Sequence, residues 1–236
     1  MINKSYLSNQ PWQGLVLLVL GILIALAWLG IWQSNKAYAQ VTINFNQFNQ
    51  QLMAQYGNRR LPAGQAWQRL INDIDGLSNV QKLQRVNAFF HQNVRYRTDQ
   101  QLYGMEDYWA TPLETLGHGM GDCEDYAIAK YITLRKVGLT DQQLRLIYVR
   151  ANVRGRVEAH MVLGYYATPN AEPLILDSLI TRILPASQRT DLTPVFSFNA
   201  QGLWAGNQRS ASSPTARLSR WRSVLDRLAE EGIYFE

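Results

Sequence analysis

Apolar residues recur at three- and four-residue spacing through the first half of the chain, and at alternate positions after residue 143. The first stretch, Val41 to about Tyr56, carries Ile43, Phe45, Phe48, Leu52 and Tyr56 and predicts a helix ended by Gly57, with Phe45 off the stripe. A second helix is expected from about Ala63 to Ile74, with Trp67, Leu70, Ile71 and Ile74 on one face. Ser78 to Gln81 has the capping-box form and opens a third helix that turns Val80, Leu83, Val86, Phe90 and Val94 inward. His91 lies beside that stripe and reads as a partly exposed helix residue, not a catalyst. Arg95 to Ala110 is loop-like and aromatic.

Thr111-Pro112-Leu113-Glu114 repeats the capping box, with proline at the first helical position. Gly117, Gly119 and Gly121 then permit a tight turn, Asp122 caps the next helix, and Gly138 stops it. Beyond that point Leu144–Val153 and Val157–Tyr166 read as two strands joined at Arg154-Gly155-Arg156. Pro173–Leu179 reads as a third strand, with Ile180–Leu184 and Val195–Phe198 as two more. Ala216 to Glu230 is an amphipathic helix with Leu218, Trp221, Leu225 and Leu228 on one side. Helices first and strands afterwards predict an α+β fold, its antiparallel sheet packed by helices.

The N-terminus changes the picture. Leu15 to Trp32 is uncharged over 18 residues, about 27 Å of helix, near the thickness of a bilayer core. Ala37-Tyr38-Ala39 follows as a small-x-small cleavage pattern. The adopted reading is export with cleavage after Ala39; an uncleaved anchor through residues 15–32 is the alternative. Both place a domain of residues 40–236 outside the cytoplasm. Removing residues 1–39 takes away Lys4 and Lys36, so the formal charge falls from +5 to +3. The basic residues are scattered without interleaved aromatics, which argues against nucleic-acid binding. One cysteine excludes an internal disulfide.

That cysteine, Cys123, falls in the first turn of the helix after the glycines. There the unpaired N–H groups and the macrodipole favour thiolate. His160 in the second strand and Asp177 in the third can share one face of the sheet, with the cysteine helix packed against it. This predicts a nucleophile, a proton carrier and an orienting carboxylate. An oxyanion hole would use the Cys123 N–H and a further donor, for which Trp109 is the candidate. Asp122, Glu124 and Asp125 crowd the thiol and would raise its pKa. A hard cation such as Ca²⁺ would resolve this, although the spacing is not that of an EF-hand. Zinc is disfavoured with one cysteine and three well-separated histidines.

DYWATPLETLGHGMGDCEDYAIAKY, followed by AHMVLGYY and by LILDSL…ILPASQRTDLTPVFSFN, resembles the bacterial transglutaminase-like cysteine proteinases, the LapG-type periplasmic proteases. The resemblance covers roughly residues 45 to 205 and keeps the order Cys, His, Asp. It implies a papain/transglutaminase-like fold and a triad of Cys123, His160 and Asp177. It further implies calcium held by Asp122, Glu124 and Asp125. The implied substrate is the N-terminal region of a large repeat-rich surface adhesin, whose release disperses biofilm. The implied inhibitor is the periplasmic domain of an inner-membrane cyclic-di-GMP receptor. Two rivals remain: acyl transfer to an amine by the same triad, and a catalytically silent binding module.

Overall fold

The computed structural model describes residues 40–235 apart from Asn207. The expectations for residues 1–39 lie outside the described residues, none of whose helices is long and apolar enough to cross a membrane. The chain opens with strand β1 (Val41–Ile43), not with helix. It pairs antiparallel with β11 (Ile233–Phe235), the last strand. Helix α1 (Phe45–Tyr56) therefore starts about one turn later than its apolar pattern suggests, where Asn44 Oδ1 accepts from the Gln47 N–H. Helices α2 (Leu61–Ile74) and α3 (Asn79–Asn93) follow, the latter opened by the Ser78/Gln81 capping box. Val80, expected inward, is exposed because it sits in the first turn, before α3 reaches its neighbours.

The 95–110 segment holds more order than its sequence suggests. Strand β2 (Arg95–Tyr96) is followed by a one-turn helix α4 (Asp99–Leu102). Then come α5 (Pro112–His118), β3 (Met120–Gly121) and α6 (Cys123–Lys136). Every residue of α6 from Cys123 to Arg135 is buried, so this helix is wrapped on all sides. Trp67 of α2 donates its indole N–H to Thr133 Oγ1 at 2.9 Å, fixing α2 across α6.

Strands β4 (Leu144–Val153) and β5 (Arg156–Tyr165) form the hairpin, with Arg154 and Gly155 at positive φ in its turn. They centre a seven-stranded antiparallel sheet with β6 (Leu174–Leu176), β7 (Leu184–Pro185), β8 (Leu192–Phe198), β9 (Leu203–Ala205) and β10 (Gln208–Arg209). Its order is β10-β9-β8-β4-β5-β6-β7. The third strand is thus shorter than expected, ending just before Asp177, and of the 180–184 segment only Leu184 joins a strand. Leu146, Leu163 and Leu176 join the main core, whereas Ile147, Val149, Val162 and Ile175 form a smaller cluster on the other face. Helices α7 (Pro214–Arg217) and α8 (Ser219–Glu230) return the chain to β11. Trp221 of α8 is fully buried against Tyr131 and Phe198.

Candidate active site

The turn before Cys123 is built from three glycines with different tasks. Only Gly119 needs positive φ (+64°), in the left-handed cap of α5. At Gly121 a Cβ would come within 2.7 Å of Asp125 Oδ2, so here the demand is for space. Asp125 Oδ2 takes the Asp122 N–H (3.2 Å) and Oδ1 the Ala110 N–H (2.8 Å), which caps α6 and ties it to the preceding loop. Cys123 is thereby held at the first position of α6, beside β5, where the Met161 backbone works to lower its pKa. Met161 directly follows His160, and His160 and Cys123 line the same cleft.

His160 and Asp177 meet across the β5–β6 pair. Leu163 lies opposite Leu176. One further step of that register sets Asp177 opposite Val162, and His160 is the diagonal neighbour on the same face. His160 Nε2 is 2.7 Å from Asp177 Oδ1, and both side chains are buried. Asp177 is gripped from every side. Its Oδ1 accepts the Leu179 N–H (3.0 Å), and its Oδ2 accepts Arg189 Nη2 (2.6 Å). Its backbone carbonyl accepts Lys130 Nζ (2.9 Å) and lies 2.9 Å from His91 Nε2. Burial alone would raise the Asp177 pKa, but the His160 contact, the Leu179 N–H and Arg189 override it and hold the carboxyl well below the usual range. Burial pulls Lys130 down to about 7, against the attraction of Asp177. His91 is therefore no idle surface histidine. Neither it nor Arg189 and Lys130 carries a sequence signal for this role.

Cys123, His160 and Met161 line a cleft of about 300 Å³ with Tyr148, Trp109 and several acids. Trp109 corrects an expectation. Its indole N–H donates to Asp107 Oδ1 at 2.9 Å and its ring stacks on Phe198, so it is committed to the cleft wall and not free for an oxyanion. The thiol itself donates to Glu124 Oε2 (2.7 Å). Burial, then the Glu124 charge, push its pKa well up, against the helix-end effect expected from the sequence.

The acids form a compact set larger than the three beside the cysteine. The parallel β2–β3 pair, with Tyr96 opposite Gly121, brings Asp99 next to Asp122, and the Asp99 N–H donates to Asp122 Oδ2 at 3.2 Å. Oxygens of Asp99, Asp122 and Asp125 lie within 4.8 Å of one another, as do those of Asp99, Asp107 and Glu124. Burial raises Asp122, Asp125 and Glu124, the last to about 9, with the Asp122 charge adding to it at Asp125 and Glu124, while burial lifts Asp99 to about 6. Asp99 Oδ1 and Asp122 Oδ1 are buried without a hydrogen-bond partner. Unpartnered carboxylate oxygens, all hard donors, converging in one place are suited to a hard divalent cation such as Ca²⁺. Asp99 and Asp107, missed in the sequence, belong to this set; they lie 23 and 15 residues before Asp122, too far for a spacing motif. Asp125 has both oxygens engaged by backbone N–H groups, which makes it first a cap.

Comparison with known proteins gives a consistent picture. The family model described as bacterial transglutaminase-like cysteine proteinase matches residues 67–197. LapG of Legionella pneumophila is 40% identical, at a TM-score of 0.69 over 79% of this chain and 96% of that one. Its calcium-bound form is 41% identical (TM-score 0.67, 79% and 99%), and its EGTA-treated form 39% identical (0.69, 79% and 98%). No curated protein matches the chain.

Proposed function

Because the chain belongs to the bacterial transglutaminase-like cysteine proteinases and is a cysteine peptidase, we propose that it is a calcium-dependent endopeptidase working through Cys123, His160 and Asp177. The observation that carries this reading is one cleft lined by Cys123 and His160, with the imidazole Nε2 held by Asp177. With Nε2–H donated to the carboxylate, Nδ1 is the nitrogen left to take the thiol proton. The sulfur then attacks the scissile carbonyl carbon, and the oxyanion faces the Cys123 N–H, a helix-end donor with no intrahelical acceptor. Collapse breaks the C–N bond, and His160 returns its proton to the leaving amine. Water, deprotonated by His160, attacks the thioester; the acid product leaves and the thiol is regenerated. Bound by Asp99, Asp122 and Glu124, with Asp107 at the rim, calcium would supply the positive charge that draws these acids away from the thiol.

The substrate we infer is the N-terminal region of a large repeat-rich adhesin, cut at a small-residue site such as a dialanine. Its release would promote biofilm dispersal. The enzyme would act in the periplasm, freed by cleavage near Ala39 or tethered through residues 15–32. The periplasmic domain of an inner-membrane cyclic-di-GMP receptor would serve as inhibitor. Similarity to LapG over most of both chains supports this set. Incubating an adhesin N-terminal fragment with the protein should give one cut that disappears in Cys123→Ser and on chelation by EGTA. Cleavage by Cys123→Ser would overturn the nucleophile, and cleavage persisting in EGTA would overturn the metal. A labelled amine joined to the new C-terminus would favour acyl transfer instead.

A further inference from the structure

A cavity larger than the cleft at the thiol lies elsewhere in the described residues. It is a groove of about 730 Å³ floored by Ile147, Val149, Val162 and Ile175, within the size range of small-molecule sites. These residues are the second, smaller cluster, on the sheet face turned away from the main core.

Two arginines line this groove, and no acid does. Arg189 is 4% exposed. Its Nε and Nη2 are spent on Asp191 and Asp177, yet its Nη1 is buried without any hydrogen-bond partner. A charged group buried this deeply with an unused donor is costly unless something supplies an acceptor. Arg145 stacks on Trp204 and Tyr166, 4.3 and 4.7 Å from the ring centroids. Its Nε is also buried and unpartnered, and it makes no ion pair with a carboxylate among the described residues. The charge of Arg189 is already balanced by two aspartates, so it offers a donor. Arg145 offers the uncompensated positive charge, held by aromatic stacking. An apolar floor, a cation without a carboxylate partner among the described residues and a second idle N–H define the complementary molecule: an aliphatic chain with a carboxylate head.

We propose that this groove is a binding site for an apolar carboxylate, with the head group on Arg145, the chain on the floor, and a second oxygen acceptor for Arg189 Nη1. The site is separate from the cleavage cleft but touches it through Arg189, whose other nitrogen holds Asp177.

The test uses octanoate as the probe on the calcium-loaded full-length protein, followed through the methyl NMR signals of isoleucine and valine. Saturable shifts are expected at Ile147, Val149, Val162 and Ile175. Hexanoate, two methylenes shorter, should bind roughly tenfold more weakly. Octyltrimethylammonium should not compete. Arg145→Gln should weaken octanoate about tenfold or more while peptide hydrolysis without octanoate stays unchanged. Should that variant not fold, Ala186→Trp, which fills the groove and keeps both arginines, should abolish the same shifts. Equal binding of the cationic probe, undiminished binding in a folded Arg145→Gln protein, or shifts scattered away from the groove would overturn the proposal.

Discussion

Asp177 shows most clearly how much of the chemistry rests on single contacts. Its carboxylate faces His160 and Arg189, while Lys130 and His91 fix its carbonyl. Asp177→Asn preserves the shape but can present an amide N–H to Nε2, which favours the wrong imidazole tautomer. Its kcat should fall by roughly 10³–10⁴, with KM nearly unchanged, measured on an adhesin-derived peptide. The roles of Cys123, His160 and Asp177 could be suspected from the sequence because each stands in a local pattern: a helix start after glycines, an alternating strand, and an acid within an apolar run. Arg189, Lys130, His91, Asp99 and Asp107 had no such pattern. What brings them in is tertiary: a loop folded under the sheet, one buried turn of α6, and the β2–β3 pairing. Trp109 was misread for the same reason, since its indole partner, Asp107, is fixed only by the folded loop.

Elements were legible where one face is apolar and a cap is explicit. The three capping sequences at Ser78, Thr111 and Asp122 all open helices. The short strands were not, because a three-residue strand such as β1 is selected by its partner β11, nearly 200 residues away, and not by its own periodicity. Helix α8 was seen in the sequence, but not its task. Beyond its end, Glu231 accepts the hydroxyl of Thr111 at 2.8 Å, and Arg227 donates to the Trp109 carbonyl and pairs with Glu114 at 3.5 Å. The C-terminal helix thus clamps the start of α5, the helix that leads into the nucleophile's turn. Burial raises Glu231 to about 8, with Glu114 adding to it. A folded-state pKa above the unfolded one means that the folded protein keeps a proton the unfolded chain has lost. Stability therefore declines as pH rises from about 4.5 to 8. Glu231→Gln, which cannot ionise, should flatten that decline and gain on the order of 1–3 kcal/mol at pH 8 in urea unfolding.

For the whole molecule, the organising fact is that two layers meet at one helix end. The sheet brings the imidazole and its carboxylate. The helical layer brings the thiol and, through β2–β3, the acids. Calcium held by this set would bridge the 95–110 loop to α6 and should stabilise the fold. At 100-fold over its dissociation constant the gain is about 2.7 kcal/mol, a rise of roughly 5–11 °C in Tm. Asp99→Asn, in a residue remote in sequence from the cysteine, should reduce both the Tm rise and the calorimetric affinity. A full Tm rise in that variant would confine the metal to the acids beside Cys123.

The central claim is that the thiol of Cys123 is made reactive by His160. The chain has one cysteine, so alkylation by iodoacetamide reports on it without ambiguity. In the calcium-loaded protein at pH 7, one alkyl group per chain should abolish peptide cleavage, and His160→Ala should slow its attachment by at least about 100-fold. Equal alkylation rates in the two proteins, or cleavage that survives complete alkylation, would contradict the account.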